Sequence, residues 1–73
     1  MTFPERLKQC RTSKKLSQKQ TALDTAISPR AYQYYEAGTS EPTISVAIAL
    51  ADFFDVSLDY LVGRSDKPFS HKE

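Results

Sequence analysis

Cysteine, histidine, glycine and tryptophan are scarce in this chain of 73 residues. A single cysteine cannot close an internal disulfide, so the chain is not a disulfide-stapled secreted domain. One cysteine and one histidine also exclude a zinc finger, and we expect neither a metal nor a cofactor. No apolar run is long enough to span a membrane, and the first residues lack the apolar segment of a signal peptide. These absences predict a cytoplasmic protein without a membrane partner.

The apolar and charged residues that are present suit one small soluble domain. Hydrophobic residues make up 40% of the chain and charged residues 26%, which is ordinary for a globular domain. A chain this short buries only about 60% of its unfolded surface, so its core is small. No segment alternates apolar and polar residues as a half-buried strand does. The pattern indicates helices.

Apolar spacing and capping residues predict five short helices. Phe3, Leu7 and Cys10 share one face of a first helix, which ends in polar residues 12–15. Four further helices have Ser or Thr at the N-cap position, namely Ser17, Ser28, Thr43 and Ser57. Three residues that tolerate left-handed backbone can end helices, namely Gly38, Asp55 and Gly63. The sequence therefore predicts an all-α bundle of five short helices.

The predicted bundle occupies residues 1–63, and residues 64–73 are predicted to form a flexible tail. The single histidine, His71, lies in this tail and has no predicted role. Cys10 continues the apolar face of the first helix, so we expect a buried thiol rather than a nucleophile. The sequence shows no constellation of acid–base or nucleophilic residues, so the chain is not expected to be an enzyme.

The fourth helix is more apolar than one buried face requires. Ile44, Ile48 and Ala51 form the stripe that we expect to face the core. Val46 and Ala49 fall outside that stripe, and we expect both to be exposed. Surplus exposed apolar surface indicates a contact with another protein. This predicts a homodimer formed through the fourth and fifth helices.

A net charge of +1 conceals two halves of opposite sign. Residues 1–30 contain seven Lys or Arg and two Asp or Glu, hence +5. Residues 31–73 contain three Lys or Arg and seven Asp or Glu, hence −4. Lys14 and Lys15 are more typical of a solvent-exposed face than of dedicated phosphate ligands. The basic half nevertheless favours an anionic partner such as DNA.

The third helix is predicted to present a polar face to a partner. On a helical wheel, Gln33 and Tyr34 lie within about 60° of Arg30. Tyr32 and Tyr35 lie on the opposite side, where we expect them in the core. Arginine can bind guanine through two hydrogen bonds, glutamine can bind adenine, and tyrosine can donate a hydrogen bond or contact a thymine methyl. The exposed face therefore suits the base edges of the major groove.

The second helix, a short break and the third helix together match a helix-turn-helix arrangement. Gln18 and Lys19 lie in the first turn of the second helix, where side chains and free backbone N–H groups can hold a DNA phosphate. We expect this helix to fix the position of the third helix on the duplex.

Residues 3 to 64 resemble the Cro/C1-type, or XRE-type, helix-turn-helix domain of phage repressors and bacterial regulators. The residues that carry the resemblance are spread over the chain: Glu5, Arg6, Leu7, Lys8, Arg11, Leu16, Ser17, Gln18, Ala22, Ile27, Ser28, Tyr35, Glu36, Ala37, Gly38, Glu41, Pro42, Leu50, Ala51, Asp52, Phe54, Val56, Ser57, Leu58, Asp59, Tyr60, Leu61 and Gly63. The resemblance implies a lambda-repressor-like fold and a sequence-specific double-stranded DNA-binding regulator. It further implies a repressor that acts as a dimer on an operator, in a bacterial cytoplasm or nucleoid or encoded by a phage.

The resemblance also assigns roles to individual positions. It places four residues of the third helix against the bases, namely Pro29, Arg30, Gln33 and Tyr34. It places five residues near phosphates, namely Ser17, Gln18, Lys19, Ser28 and Thr39. It implies a structural ion pair between Arg11 and Glu36 that joins the first and third helices. On the wheel, Glu36 points about 120° away from Arg30, toward the bundle.

Several positions depart from the family pattern. Thr21 and Thr25 stand where bulky aliphatic residues are usual, and Leu23 stands where the family tends to be polar. Ala26 often aligns with glycine, and a positive φ there would cost alanine about 1–2 kcal/mol. Pro29 cannot hydrogen-bond to a base, and Thr39 and Ser40 replace the usual basic residues. The alternative hypothesis is therefore a protein-interaction adaptor of the same fold with weak or no DNA affinity.

Overall fold

The computed structural model describes residues 1–68, and these residues form five α-helices and no strand. The helices are α1 (Phe3–Ser13), α2 (Gln18–Asp24), α3 (Pro29–Ala37), α4 (Ile44–Phe54) and α5 (Leu58–Leu61). The predicted all-α fold class is confirmed. The fifth helix ends at Leu61 and has Val62 as its C-cap.

Every helix begins at a Ser or Thr whose side-chain oxygen accepts a hydrogen bond from a backbone N–H of the first turn. These N-caps are Thr2, Ser17, Ser28, Thr43 and Ser57. Four of them are the predicted caps. The fifth, Thr2, forms a capping box with Glu5, whose carboxylate accepts from the Thr2 amide at 2.9 Å. Each cap stabilises its helix by about 1 kcal/mol.

Every helix is followed by one residue with positive φ, namely Lys15, Ala26, Gly38, Asp55 and Gly63. The amide of the next residue then donates back across the last turn, as from Leu16 to the Arg11 carbonyl at 3.3 Å. Gly38, Asp55 and Gly63 are thus helix ends, as predicted. Lys15 is not predicted, because nothing about a lysine side chain favours a left-handed backbone.

The core forms where α1, α3, α4 and α5 meet around a few fully buried side chains. Leu7, Leu50, Tyr32 and Leu61 have no exposed surface. Cys10 is also buried, as predicted, and that burial raises the pKa of its thiol. A thiol in this environment is a small apolar core group.

The predicted core stripe of α4 is wrong for Ile44 and Ile48, and the predicted exposure of Val46 is wrong too, whereas Ala51 is buried as predicted. Ile44 is 70% exposed and Ile48 is 44% exposed, whereas Val46 packs against the core. The buried stripe has the i, i+3, i+4, i+7 spacing and consists of Ala47, Leu50, Ala51 and Phe54. Ile44 and Ile48 lie about 70–110° to one side of it. The prediction assigned the larger apolar side chains to the core. In the structure, the small alanines Ala47 and Ala51 occupy two of the four buried positions of α4. Ala49 is exposed, as predicted.

Arg6 is buried, with 4% of its surface exposed, and it joins α1 to the chain that follows α5. Its guanidinium lies 3.7 Å from the centre of the Tyr60 ring and donates to the Tyr60 carbonyl at 2.9 Å and the Ser65 carbonyl at 3.3 Å. The exposed carboxylate of Asp66 forms an ion pair with this guanidinium at 3.6 Å. The helical wheel gave a signal for this, since Arg6 lies within about 60° of the Phe3 stripe.

Residues 64–68 belong to the predicted tail and hydrogen-bond to the bundle. The Arg64 amide donates to the Asp59 carbonyl at 2.8 Å, and the Ser57 amide donates to the Pro68 carbonyl at 2.6 Å. The predicted domain boundary after residue 63 stays a prediction, and His71 lies outside the described residues. No helix in residues 1–68 is long and apolar enough to cross a membrane.

Candidate nucleic-acid interface

A four-residue connection between α2 and α3 fixes how the two helices meet. Ala26 adopts φ 59°, and the Ile27 amide donates to the Ala22 carbonyl at 2.9 Å. Ile27 packs against the core, and Ser28 caps α3 by accepting from the Ala31 amide at 3.1 Å. Ala26 therefore has the positive φ that was considered for this position from the sequence. This conformation strains an alanine, and a glycine would avoid the strain.

The outer face of α3 is open to a partner. Pro29, Arg30, Gln33 and Tyr34 are all exposed, and Tyr34 has 46% of its surface accessible. The structure therefore brings the four predicted base-facing residues onto one accessible surface. Their chemistry includes one cation, one amide and one phenol, each able to donate a hydrogen bond.

The inner face of α3 packs into the bundle. Tyr32 is fully buried, and Tyr35 is half-buried against the core. Both side chains are thus placed as predicted. Burial and the neighbouring Glu36 carboxylate raise the pKa of Tyr32, so its hydroxyl stays a hydrogen-bond donor.

Arg11 and Glu36, which the family resemblance pairs, lie in direct contact. Arg11 Nε is 2.6 Å from Glu36 Oε2, and Arg11 Nη2 is 3.1 Å from Oε1. Arg11 Nη1 also donates to the Leu16 carbonyl at 2.8 Å, just before α2. This two-pronged ion pair therefore joins α1, α3 and the start of α2.

The Glu36 carboxylate accepts two further hydrogen bonds that the sequence did not reveal. Tyr32 Oη donates to Oε2 at 2.6 Å, and Gln18 Nε2 donates to Oε1 at 2.9 Å. Burial alone would raise the pKa of Glu36, but the hydrogen bonds from Arg11, Tyr32 and Gln18 hold it below its ordinary value. Glu36 is therefore an anion at neutral pH with its oxygens fully bonded.

The residues expected near phosphates differ in their availability. Lys19 is exposed, whereas Gln18 is half-buried and bonded to Glu36. Ser17 and Ser28 are exposed N-caps whose oxygens already accept helix amides. The Thr39 hydroxyl donates to the Tyr34 carbonyl at 3.4 Å. Gln18 and Lys19 are thus the two candidates whose side-chain N–H groups are not used to cap a helix.

Comparison with known proteins identifies the family of this chain. A model of the helix-turn-helix family matches residues 7–61, which includes all of α2, the turn and α3. The chain belongs to the XRE-type helix-turn-helix family. The predicted family is confirmed, and α2 and α3 are its helix-turn-helix pair.

Individual relatives agree with the family. HTH-type transcriptional regulator YqaE of Bacillus subtilis is 45% identical over 66 residues, which are 89% of this chain and 57% of YqaE. The CTXphi phage transcriptional repressor RstR of Vibrio cholerae is 36% identical over 64 residues, which are 88% of this chain and 57% of RstR. The crystal structure of a transcriptional regulator from Listeria innocua superposes with a TM-score of 0.78 at 34% identity, over 85% of this chain and 58% of that chain.

The helix-turn-helix chain spans a little over half the length of these relatives. Among residues 1–68 there is no group of three His, Cys, Asp or Glu side chains that could hold a metal ion.

Proposed function

We propose that this chain is a sequence-specific, double-stranded DNA-binding transcriptional regulator that acts as a repressor. The observation that carries the proposal is the open face of α3, where Arg30, Gln33 and Tyr34 lie together while Glu36 holds the opposite face to α1 and α2. A helix presented in this way fits the major groove of B-DNA, which is wide enough to admit it. The function is binding, without catalysis.

Base recognition is assigned to the side chains of the α3 face. Arg30 donates to O6 and N7 of a guanine, and Gln33 bonds to N6 and N7 of an adenine. Tyr34 donates to a base acceptor or packs its ring on a thymine methyl. Pro29 has no N–H and contributes an apolar contact only. The side chains therefore favour a half-site that contains both a G·C and an A·T pair.

Phosphate contacts are assigned to the start of α2 and the ends of α3. Gln18 and Lys19 lead, with Ser17, Ser28 and Thr39 beside them. The exposed cations Lys19 of α2 and Arg30 of α3 support this side of the molecule as the one facing DNA. Because Thr39 and Ser40 are not basic, we expect the protein to neutralise few phosphates. The logarithm of the affinity falls with the logarithm of the salt concentration with a slope of about −0.9 per phosphate contact, so the salt dependence should be weak.

A second copy of the chain is assigned to the surface formed by α4 and α5, where α4 exposes apolar side chains. Ile44 and Ile48 are the most exposed apolar residues of α4, and Ile44 borders a cleft. The cleft has apolar and charged lining residues, namely Phe3, Glu41, Pro42, Ala47, Leu58, Asp59, Val62 and Arg64. A two-fold axis here can place Arg64 of one copy opposite the acidic side chains of the other. Two α3 helices then contact half-sites about 34 Å apart.

Repression follows from occupancy, because a dimer on a promoter blocks the transcription machinery. RstR, a phage repressor related over most of this chain, supports this direction. The site of action is then the bacterial cytoplasm or nucleoid.

The proposal is tested by selecting duplexes from a random pool with the purified protein. Enrichment of a palindrome with half-sites one helical turn apart is the expected result. If no sequence is enriched even at low salt, the DNA-binding proposal is rejected in favour of the protein-interaction adaptor.

A further inference from the structure

Gln18 is held in place by Glu36, a residue on another helix. The Gln18 carboxamide donates from Nε2 to Glu36 Oε1 at 2.9 Å. An ionised carboxylate only accepts hydrogen bonds, so this contact also fixes which way the amide points. The second N–H of the same nitrogen has no partner within residues 1–68. One donor of Gln18 is thus oriented and unused.

Glu36 is itself immobilised. Its four acceptor positions receive Arg11 Nε and Tyr32 Oη on Oε2, and Arg11 Nη2 and Gln18 Nε2 on Oε1. The Arg11 charge compensates that of the carboxylate, so an anion such as a phosphate can approach Gln18 without facing an unbalanced negative charge. Glu36 side-chain exposure is only 4%, which leaves the carboxylate no alternative partner in water.

We infer that Glu36 is a positioning residue for the DNA backbone contact of Gln18, in addition to joining the helices. The inference rests on the proposed function, in which Gln18 binds a phosphate. A free glutamine side chain loses rotamer freedom when it binds. Glu36 imposes that loss on folding, so the oriented N–H meets the phosphate without a further ordering cost. The same bond fixes the start of α2 relative to α3, and thus the phosphate contact relative to the base contacts.

A double-mutant cycle separates positioning from simple stability. The probe is duplex DNA of mixed sequence at low salt, where binding depends on phosphate contacts and needs no known operator. The variants are Gln18→Ala, Glu36→Gln and their combination. Gln20→Ala is the matched control on the same helix, since the Gln20 side chain is exposed and, within residues 1–68, bonds only to Asp24. Thr2→Ala is the stability control, because it removes the α1 cap away from the interface.

Gln18→Ala should lower the affinity about tenfold, which is the effect of losing one hydrogen bond to a charged group. Glu36→Gln should lower it by a similar factor in the wild-type background and by less than about twofold in the Gln18→Ala background. Gln20→Ala and Thr2→Ala should leave the affinity unchanged below their melting temperatures.

Each contrary result has a distinct meaning. If Glu36→Gln lowers the affinity by the same factor in both backgrounds, Glu36 has only a structural role and the inference is overturned. If Gln18→Ala itself has no effect, the phosphate contact of the proposed function is rejected first. If Glu36→Gln does not fold, Glu36→Asp replaces it in the cycle. That variant keeps the charge beside Arg11 but has a shorter side chain that no longer reaches Gln18. A loss of affinity that depends on Gln18 supports positioning, and an equal loss in both backgrounds overturns it.

Discussion

The Arg6 guanidinium lies over the ring of Tyr60 in α5, 3.7 Å from the ring centre. The same group donates to two backbone carbonyls, those of Tyr60 and Ser65. One buried arginine thus satisfies acceptors at the end of α5 and attaches residues 60–65 to α1. Both bonds come from Nη1 while the planar guanidinium lies over the Tyr60 ring, a combination that a lysine ammonium reproduces only in part.

Arg6→Ala should lower the free energy of unfolding by about 2–3 kcal/mol, since it removes the hydrogen bonds to the Tyr60 and Ser65 carbonyls and leaves a cavity beside the Tyr60 ring. Arg6→Lys should recover only part of this loss. Lys8→Ala is the control, because Lys8 is basic and exposed on the same helix. Thermal melts followed by circular dichroism measure the difference. Equal melting temperatures for Arg6→Ala and Lys8→Ala would show that Arg6 does not attach the chain after α5.

Ala26→Gly should stabilise the protein by about 1 kcal/mol. Ala26 has φ 59°, a conformation that is costly for alanine and free of strain for glycine. The matched control is Ala49→Gly, in an exposed turn of α4, which should destabilise by about 1 kcal/mol because glycine is a poor helix former. Urea denaturation of both variants gives the sign. A loss of stability in Ala26→Gly would mean that the strain at Ala26 is smaller than the entropy cost of ordering a glycine.

The Glu36 network should give the protein an acid-sensitive share of its stability. The folded-state pKa of Glu36 lies below its ordinary value of 4.5, so the network stabilises the fold fully above that value. Its contribution is lost as the pH falls through the lowered pKa. Glu36→Gln should therefore be less stable than wild type at neutral pH, and the two should converge in acid. Denaturation across this pH range tests the point, and a constant difference at all pH values contradicts it.

Replacing both Ile44 and Ile48 with serine should shift the protein from dimer to monomer without lowering the stability of the monomer. Both side chains are exposed, so the fold does not depend on them. Leu23→Ser is the control, since Leu23 is an apolar residue of α2 with 62% of its surface exposed. Sedimentation at micromolar concentration distinguishes the species. A wild-type protein that stays monomeric even with operator DNA would remove the dimer from the account.

Local signals in the sequence predicted the helices well because caps and helix ends depend on neighbouring residues. Ser17, Ser28 and Gly38 are read directly from the chain in this way. The phase of α4 was mistaken, because close packing selected alanines over isoleucines and only the neighbouring helices determine that choice. The contact between Gln18 and Glu36 joins residues far apart in the chain. No periodicity reports such a contact, so it required the folded structure.

Arg30 is proposed to contact a base from the exposed face of α3. The most direct test measures the affinity of wild type and Arg30→Ala for a selected half-site and for each single base-pair change within it. Arg30→Ala should cost about 1–3 kcal/mol on the selected site and should abolish discrimination at one G·C pair while keeping it elsewhere. A uniform loss across every sequence would contradict the claim and make Arg30 a phosphate contact.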